Sequence, residues 1–98
     1  MAVYVVVDND VIDQEPYREY LKEITPTVSQ YGGRYIVRAG KIHFADTNWK
    51  PDRLIIIEFD NLKQAKAWVT SEETVPIHNK RRAHAKSHLI IIDGVDEN

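Results

Sequence analysis

The chain has 98 residues and a mass of 11.4 kDa, enough for one compact domain with its own core and too short for two. Apolar residues at 43% and charged residues at 29% exclude a disordered or collagen-like chain, and 13 Lys and Arg against 15 Asp and Glu leave a net charge of -2, which supplies no general field for nucleic acid or anionic lipid. The absence of cysteine excludes disulfides, thiolate metal sites and thiol nucleophiles, and no apolar run approaches the ~18 residues of a membrane helix, so a cytoplasmic protein without a leader is expected.

Val3-Tyr4-Val5-Val6-Val7 is β-branched and aromatic on both faces and is bounded by Asp8-Asn9-Asp10, which reads as a turn after a doubly buried strand. The period then changes. Tyr17, Tyr20, Leu21, Ile24, Val28 and Tyr31 form one helical stripe, with Asp13 as N-cap, Glu15 and Pro16 in the first turn, a kink or stop at Pro26 and Gly32 as the left-handed closing residue. Tyr35-Ile36-Val37 predicts a strand flanked by Arg34 and Arg38, followed by a bulge or bend at Gly40 and a further extended stretch over residues 41–44. Turn residues at 46–48 and 50–52 separate this from a buried strand, Leu54 to Ile57, that ends at Glu58-Phe59. Asn61 with Gln64 has the spacing of a capping box, and Leu62, Ala65 and Trp68 continue a short helical stripe. Ser71 before Glu72 and Glu73 predicts a second N-cap, which leaves Pro76 about five positions into the restarted helix, where distortion is expected. Leu89 to Ile92 is the last strand, closed by Asp93-Gly94, and residues 95–98 read as a frayed tail.

The order β-α-β-β-α-β is that of a ferredoxin-like α+β sandwich, a single domain over residues 1–98 with a four-stranded antiparallel sheet and both helices on one face. Three of the strands lack a polar face, yet two helices cover only one side of a sheet. A second copy of the chain, packed sheet to sheet about a two-fold axis, is the simplest cover, and the pattern does not decide which face forms the seam.

Tyr31-Gly32-Gly33-Arg34-Tyr35, Val37-Arg38-Ala39-Gly40, Trp49-Lys50-Pro51-Asp52-Arg53 and Ile57-Glu58-Phe59 stand in this order, followed by Ala65-x-x-Trp68, Ser71, Glu73, Arg81 and Leu89-Ile90-Ile91-Ile92-Asp93-Gly94. This series resembles the small bacterial proteins of domain-of-unknown-function family 1330. The resemblance implies a ferredoxin-like homodimer of the dimeric α+β barrel superfamily, which also holds cofactor-free monooxygenases, isomerases and haem enzymes. The chain departs from the family pattern at Val69 and Thr74, where aromatic residues are usual, and at Pro76.

Several residues are candidates for chemistry. Glu58 has the character of a general base, while the alternation places Arg34 and Arg38 on the face of Ile36, where they could clamp an anion; a cross-strand ion pair between Arg34 and Glu58 explains two of the three without catalysis. His43, His78, His84 and His88 lack metal-ligand spacing, so no metal is expected, and no cofactor either; His78 stands as the second weak candidate base. The basic segment from Lys80 to His88 complements a helix dipole, and within it Arg81 matches the family pattern. A ligand site is therefore expected beside the sheet near Arg38, Trp68 and Arg81, at the break that follows Trp68, since the resemblance implies a pocket between the sheet and the helices or at the dimer seam. Two cations there favour a small organic acid. Three functions follow as expectations: a small-acid binding protein; a cofactor-independent monooxygenase or isomerase acting on such an acid; and a structural module with no ligand.

Overall fold

The computed structural model describes residues 1–95; the expectation of a frayed tail falls on residues 96–98, outside the described residues, apart from the exposed Val95. The elements are β1 (Val3–Val11), α1 (Gln14–Gln30), β2 (Arg34–Arg38), β3 (Arg53–Phe59), α2 (Leu62–Thr70), α3 (Val75–His84) and β4 (Ala85–Asp93). The strands form one antiparallel sheet in the order β2-β3-β1-β4, the ferredoxin-like arrangement with the second helical unit divided in two.

Alternation divides each strand between two surfaces. On the inner face Val3, Val5, Val7, Ile55, Ile57 and Phe59 are buried against Tyr17, Tyr20, Ile24 and Val28 of α1 and Ala65 and Trp68 of α2. The outer face carries Tyr4 and Val6 of β1, Leu54 and Ile56 of β3, and Ile90 and Ile92 of β4, the last two 55% and 50% exposed. Among the described residues no helix lies over these side chains.

Local signals account for the helix ends. Asn61 Oδ1 accepts from the Gln64 N–H at 2.9 Å, while Gln64 Oε1 accepts from the Asp60 N–H at 3.1 Å, a capping box displaced by one residue on its return bond. After α1 the chain turns through Gly32 at φ +85°, with the Gly32 N–H donating to Ser29 O and the Gly33 N–H to Val28 O, the paired bonds of a Schellman closure. Asp13 stands at the N-cap position, but its carboxylate makes no capping bond and reaches His84 Nδ1 at 3.0 Å, tying the start of α1 to the end of α3. Pro26 lies inside α1 without ending it.

Several expectations change, the first being that β1 runs on through Asp8-Asn9-Asp10 to Val11 instead of turning there. The irregularity in β2 lies between Tyr35 and Val37 instead of at Gly40, and residues 39–52 form one irregular loop with Ala39 at φ 53° and no strand at 41–44. The bulge matters because two residues of β2 oppose one of β3, so the alternation slips: Arg34 stays on the outer face opposite Glu58, whereas Arg38 turns to the inner face opposite Ile55. The second helical unit restarts at Thr74 instead of Ser71, which puts Pro76 in the first turn of α3, where its missing N–H has no partner to lose. Strand β4 begins at Ala85, four residues earlier than its apolar run, because Lys86 and His88 face outward opposite Asp10 and Asp8.

Gly33 is the tightest backbone approach in the turn, since a Cβ there would lie 2.7 Å from Phe59 Cε1 and 3.2 Å from Ile57 Cγ2. Phe59 is fully buried and has nowhere to move. Gly33→Ala is expected to cost about 1–3 kcal/mol by overpacking, read from the midpoint of urea unfolding; an unchanged midpoint would show that the turn has slack.

Candidate functional site

Between α1 and the inner face of the sheet lies a narrow slot of about 20 Å³, room for one water-sized group, lined by side chains that include Asn9, Tyr17, Tyr20, Tyr35, Arg38, Arg53 and Trp68. It meets a wider vestibule of about 350 Å³ that shares Tyr17, Leu21 and Arg53 with it and opens between α1 and the loop at Ala39 and Asp52.

Each wall has a local cause. The bulge in β2 brings Arg38 inward, where its Nη2 donates to Thr25 Oγ1 at 2.8 Å and its guanidinium lies 4.6 Å from the centre of the Tyr35 ring. Burial raises the pKa of the Tyr35 phenol, and the Thr25 hydroxyl and Arg38 oppose that rise. Asn9 and Arg53 are directly opposed on β1 and β3, and the Arg53 guanidinium lies 5.7 Å from the centre of the Tyr17 ring. Asn9 is 1% exposed; its Nδ2 donates to the Tyr17 hydroxyl at 2.9 Å, but among the described residues its Oδ1 has no partner, and neither has the buried Nε of Arg53. Trp68 closes the inner end, with its Nε1 donating to Thr27 Oγ1 at 2.9 Å.

Behind Trp68, the break between α2 and α3 holds a buried polar cradle. The Trp68 carbonyl, left free at the end of α2, accepts from Thr74 Oγ1 at 2.5 Å and from His78 Nε2 at 3.0 Å. His78 Nδ1 then accepts from Arg81 Nη1 at 2.6 Å, which assigns the ring as the neutral tautomer with its proton on Nε2. Burial, reinforced by the neighbouring Arg81, pushes the His78 pKa down to about 4. Arg81 is 3% exposed, donates through Nε to Ser87 Oγ at 2.9 Å, and has no carboxylate within ion-pair distance among the described residues. Its pKa is lowered by burial, and the nearby Tyr20 phenol opposes that shift.

The structure thus brings Arg38 and Trp68 together on the slot and places Arg81 one layer deeper, behind Tyr20. Glu58 lies on the opposite face, where Arg34 Nε donates to its Oε1 at 2.7 Å and the Tyr4 hydroxyl donates to its Oε2 at 2.8 Å; Arg34 also reaches Asp60 at 3.2 Å. The hydrogen bond to Glu58 raises the Tyr4 pKa, and those to Asp60 and Glu58 raise that of Arg34. His43 and His88 are exposed, and the described residues contain no cluster of three potential metal ligands. Within the basic segment, Lys80 pairs with Glu23 of α1 at 2.7 Å and His84 with Asp13. Sequence reasoning missed Asn9, Tyr17 and Arg53 as site residues. The signal was present: Asn9 continues the inward parity of Val3, Val5 and Val7, but it stands in Asp8-Asn9-Asp10, whose composition reads as a turn.

Residues 2–95 match the model of the family DUF1330, a domain of unknown function. Among solved structures, the chain is similar to a protein of unknown function from Rhodopseudomonas palustris, with 13% identity, a TM-score of 0.75 and coverage of 97% of this chain and 83% of that one. It is similar to a dimeric ferredoxin-like protein of unknown function from Jannaschia sp. CCS1, with 8% identity, a TM-score of 0.73 and coverage of 96% and 100%. It is also similar to SnoaB, a cofactor-independent oxygenase from Streptomyces nogalater, with 11% identity, a TM-score of 0.66 and coverage of 97% and 94%. At these identities the likeness is one of fold. No curated protein matches the chain.

The His78 cradle has a pH signature. Because its pKa in the folded chain lies below the ordinary value, the unfolded chain takes up the proton first as pH falls, so stability present above about pH 6.5 is lost progressively toward about pH 4. Between pH 7 and pH 5 this loss is about 2 kcal/mol, measurable by urea unfolding at both values, and His78→Gln is expected to flatten that part of the profile. An identical slope in His78→Gln would show that His78 does not titrate with folding.

Proposed function

We propose that this chain, which belongs to the DUF1330 family, binds a small organic acid in the slot between α1 and the sheet and acts as a homodimer joined through the outer sheet faces. The observation that carries the first part is the placement of guanidinium groups: Arg38 and Arg53 line the slot, Arg81 lies behind it, and none of the three has a carboxylate within ion-pair distance among the described residues. Asp52 lines the vestibule, but its carboxylate is engaged by the Val11 N–H at 3.3 Å. Positive charge beside aromatic walls, partly withdrawn from water, favours an anion with an apolar body. Cytoplasmic residence belongs to the same reading, since a chain without cysteine draws nothing from an oxidising compartment.

Binding is favoured over catalysis because both candidate bases are engaged elsewhere. Glu58 is held by Arg34 and Tyr4 on the far face, and His78 spends its two ring nitrogens on Trp68 and Arg81. The second part of the proposal rests on the uncovered outer face, with Val6, Leu54 and Ile56 at its centre and Ile90 and Ile92 beside them. At ~25 cal/mol per Å² these side chains give a second copy a substantial reason to bind. The dimeric state described for the Jannaschia protein supports this reading.

A thermal-shift screen of small aromatic and aliphatic acids tests the site. Benzoate-type acids are expected to raise the unfolding temperature of the native chain, and Arg38→Ala is expected to abolish the rise; a shift indifferent to Arg38→Ala would place binding elsewhere. For the assembly, sedimentation at micromolar concentration is expected to give a dimer, and Ile56→Lys a folded monomer, since Ile56 points away from the core. A native chain that sediments as a monomer would remove the dimer.

A further inference from the structure

Asn9 and Arg53 pose a specific problem at the end of the slot that meets the vestibule. They are directly opposed on the two central strands, both on the helix side of the sheet, and each has one buried polar atom without a partner among the described residues: Asn9 Oδ1, an acceptor, and Arg53 Nε, a donor. A buried polar atom without a hydrogen bond is destabilising, and two of complementary type side by side are rare in a folded core. Turning the Asn9 amide over does not cure it. The Tyr17 hydroxyl, now accepting from Nδ2, would instead donate to Oδ1, and Nδ2 would become the unpartnered atom. Tyr17 is itself fixed by the Arg53 guanidinium over its ring and by its own burial, so the three side chains form a rigid set.

From this arrangement we infer that the vestibule end of the slot recognises a hydroxyl, and that the acids bound here carry one on the carbon beside the carboxylate. The inference rests on the reading of the slot as an acid site and narrows its ligand to 2-hydroxy acids. The volumes agree with it. A slot of about 20 Å³ admits one oxygen-sized group, whereas the vestibule of about 350 Å³ that shares Tyr17, Leu21 and Arg53 with it has room for the body of the ligand. The hydroxyl donates to Asn9 Oδ1. It also accepts from Arg53 Nε, while the carboxylate stays in the vestibule beside the terminal nitrogens of the Arg53 guanidinium. Arg53 lines both the slot and the vestibule, so a hydroxyl in the one and a carboxylate in the other fall on adjoining carbons.

Paired acids that differ only in the hydroxyl test this: mandelate against phenylacetate, and lactate against propionate, each titrated calorimetrically into the native chain. The hydroxy acid of each pair is expected to bind at least about tenfold more tightly, because its analogue leaves Asn9 Oδ1 unpartnered. Asn9→Leu is expected to bring the two members of each pair together. Equal affinities in the native chain would overturn the hydroxyl assignment while leaving the acid site standing, the result expected if the slot holds only a water. Binding of neither member would overturn both. A preference that persists in Asn9→Leu would also overturn the assignment, and should that variant fail to fold, the comparison in the native chain decides alone.

Discussion

A four-stranded sheet whose strands are apolar on both faces, with helices for only one of them, is the constraint from which the other features follow. The inner face of β1 and β3 is filled by α1 and α2 and makes the core. The outer face is left with Val6, Leu54, Ile56, Ile90 and Ile92 in contact with solvent, interrupted by the Tyr4, Glu58 and Arg34 network. That network satisfies a carboxylate that would otherwise sit unpaired amid apolar side chains, and it is the reason Glu58 belongs to the surface between copies in the proposed assembly instead of to a reaction centre.

The second determinant is a single inserted residue. Were β2 regular, Arg38 would share the outer face with Arg34, and the helix side of the sheet would lose one of its cations. The bulge between Tyr35 and Val37 reverses that parity and delivers Arg38 to the slot beside Tyr35 and Thr25. The break between α2 and α3 works in a similar way on the other wall. Ending α2 at Thr70 frees the Trp68 carbonyl, and the later restart at Thr74 sets Thr74 and His78 to satisfy it, holding Trp68 at the inner end of the slot. Arg81 completes this cradle and contributes a buried positive charge with only neutral partners. Burying a cation without a carboxylate is costly, and the hydrogen bonds to Ser87 and His78 offset part of that cost.

Much of the fold could be read from the residues. The change from period two to the helical stripe of Tyr17 to Tyr31, the capping spacing of Asn61 and Gln64, and the Gly32 closure each act locally, and each appears in the structure. The opposition of Arg34 and Glu58 was also legible, because opposite charges on consecutive antiparallel strands pair directly across the ladder. Parity after the bulge was not, since a bulge depends on the partner strand and leaves no mark in Tyr35-Ile36-Val37 itself. The helix restart was displaced for a related reason: Ser71 has cap chemistry, but its hydroxyl bonds with Tyr31 and Thr74 and the first α3 turn forms three residues later. Asn9 escaped notice because turn composition and strand parity conflict there, and tertiary burial decided in favour of the strand.

The central claim is that the slot between α1 and the sheet, with its arginines, is where this chain meets a small acid. Its most direct test is a nuclear magnetic resonance titration of the isotope-labelled protein with mandelate, following backbone amides together with the arginine Nε–H signals. Saturable shifts are predicted for the Nε–H of Arg53 and for the amides of Asn9, Tyr35 and Arg38, with the outer-face amides of Val6 and Ile92 unmoved. Shifts confined to the exposed basic positions Lys80 and Arg82, with the slot silent, would contradict the account.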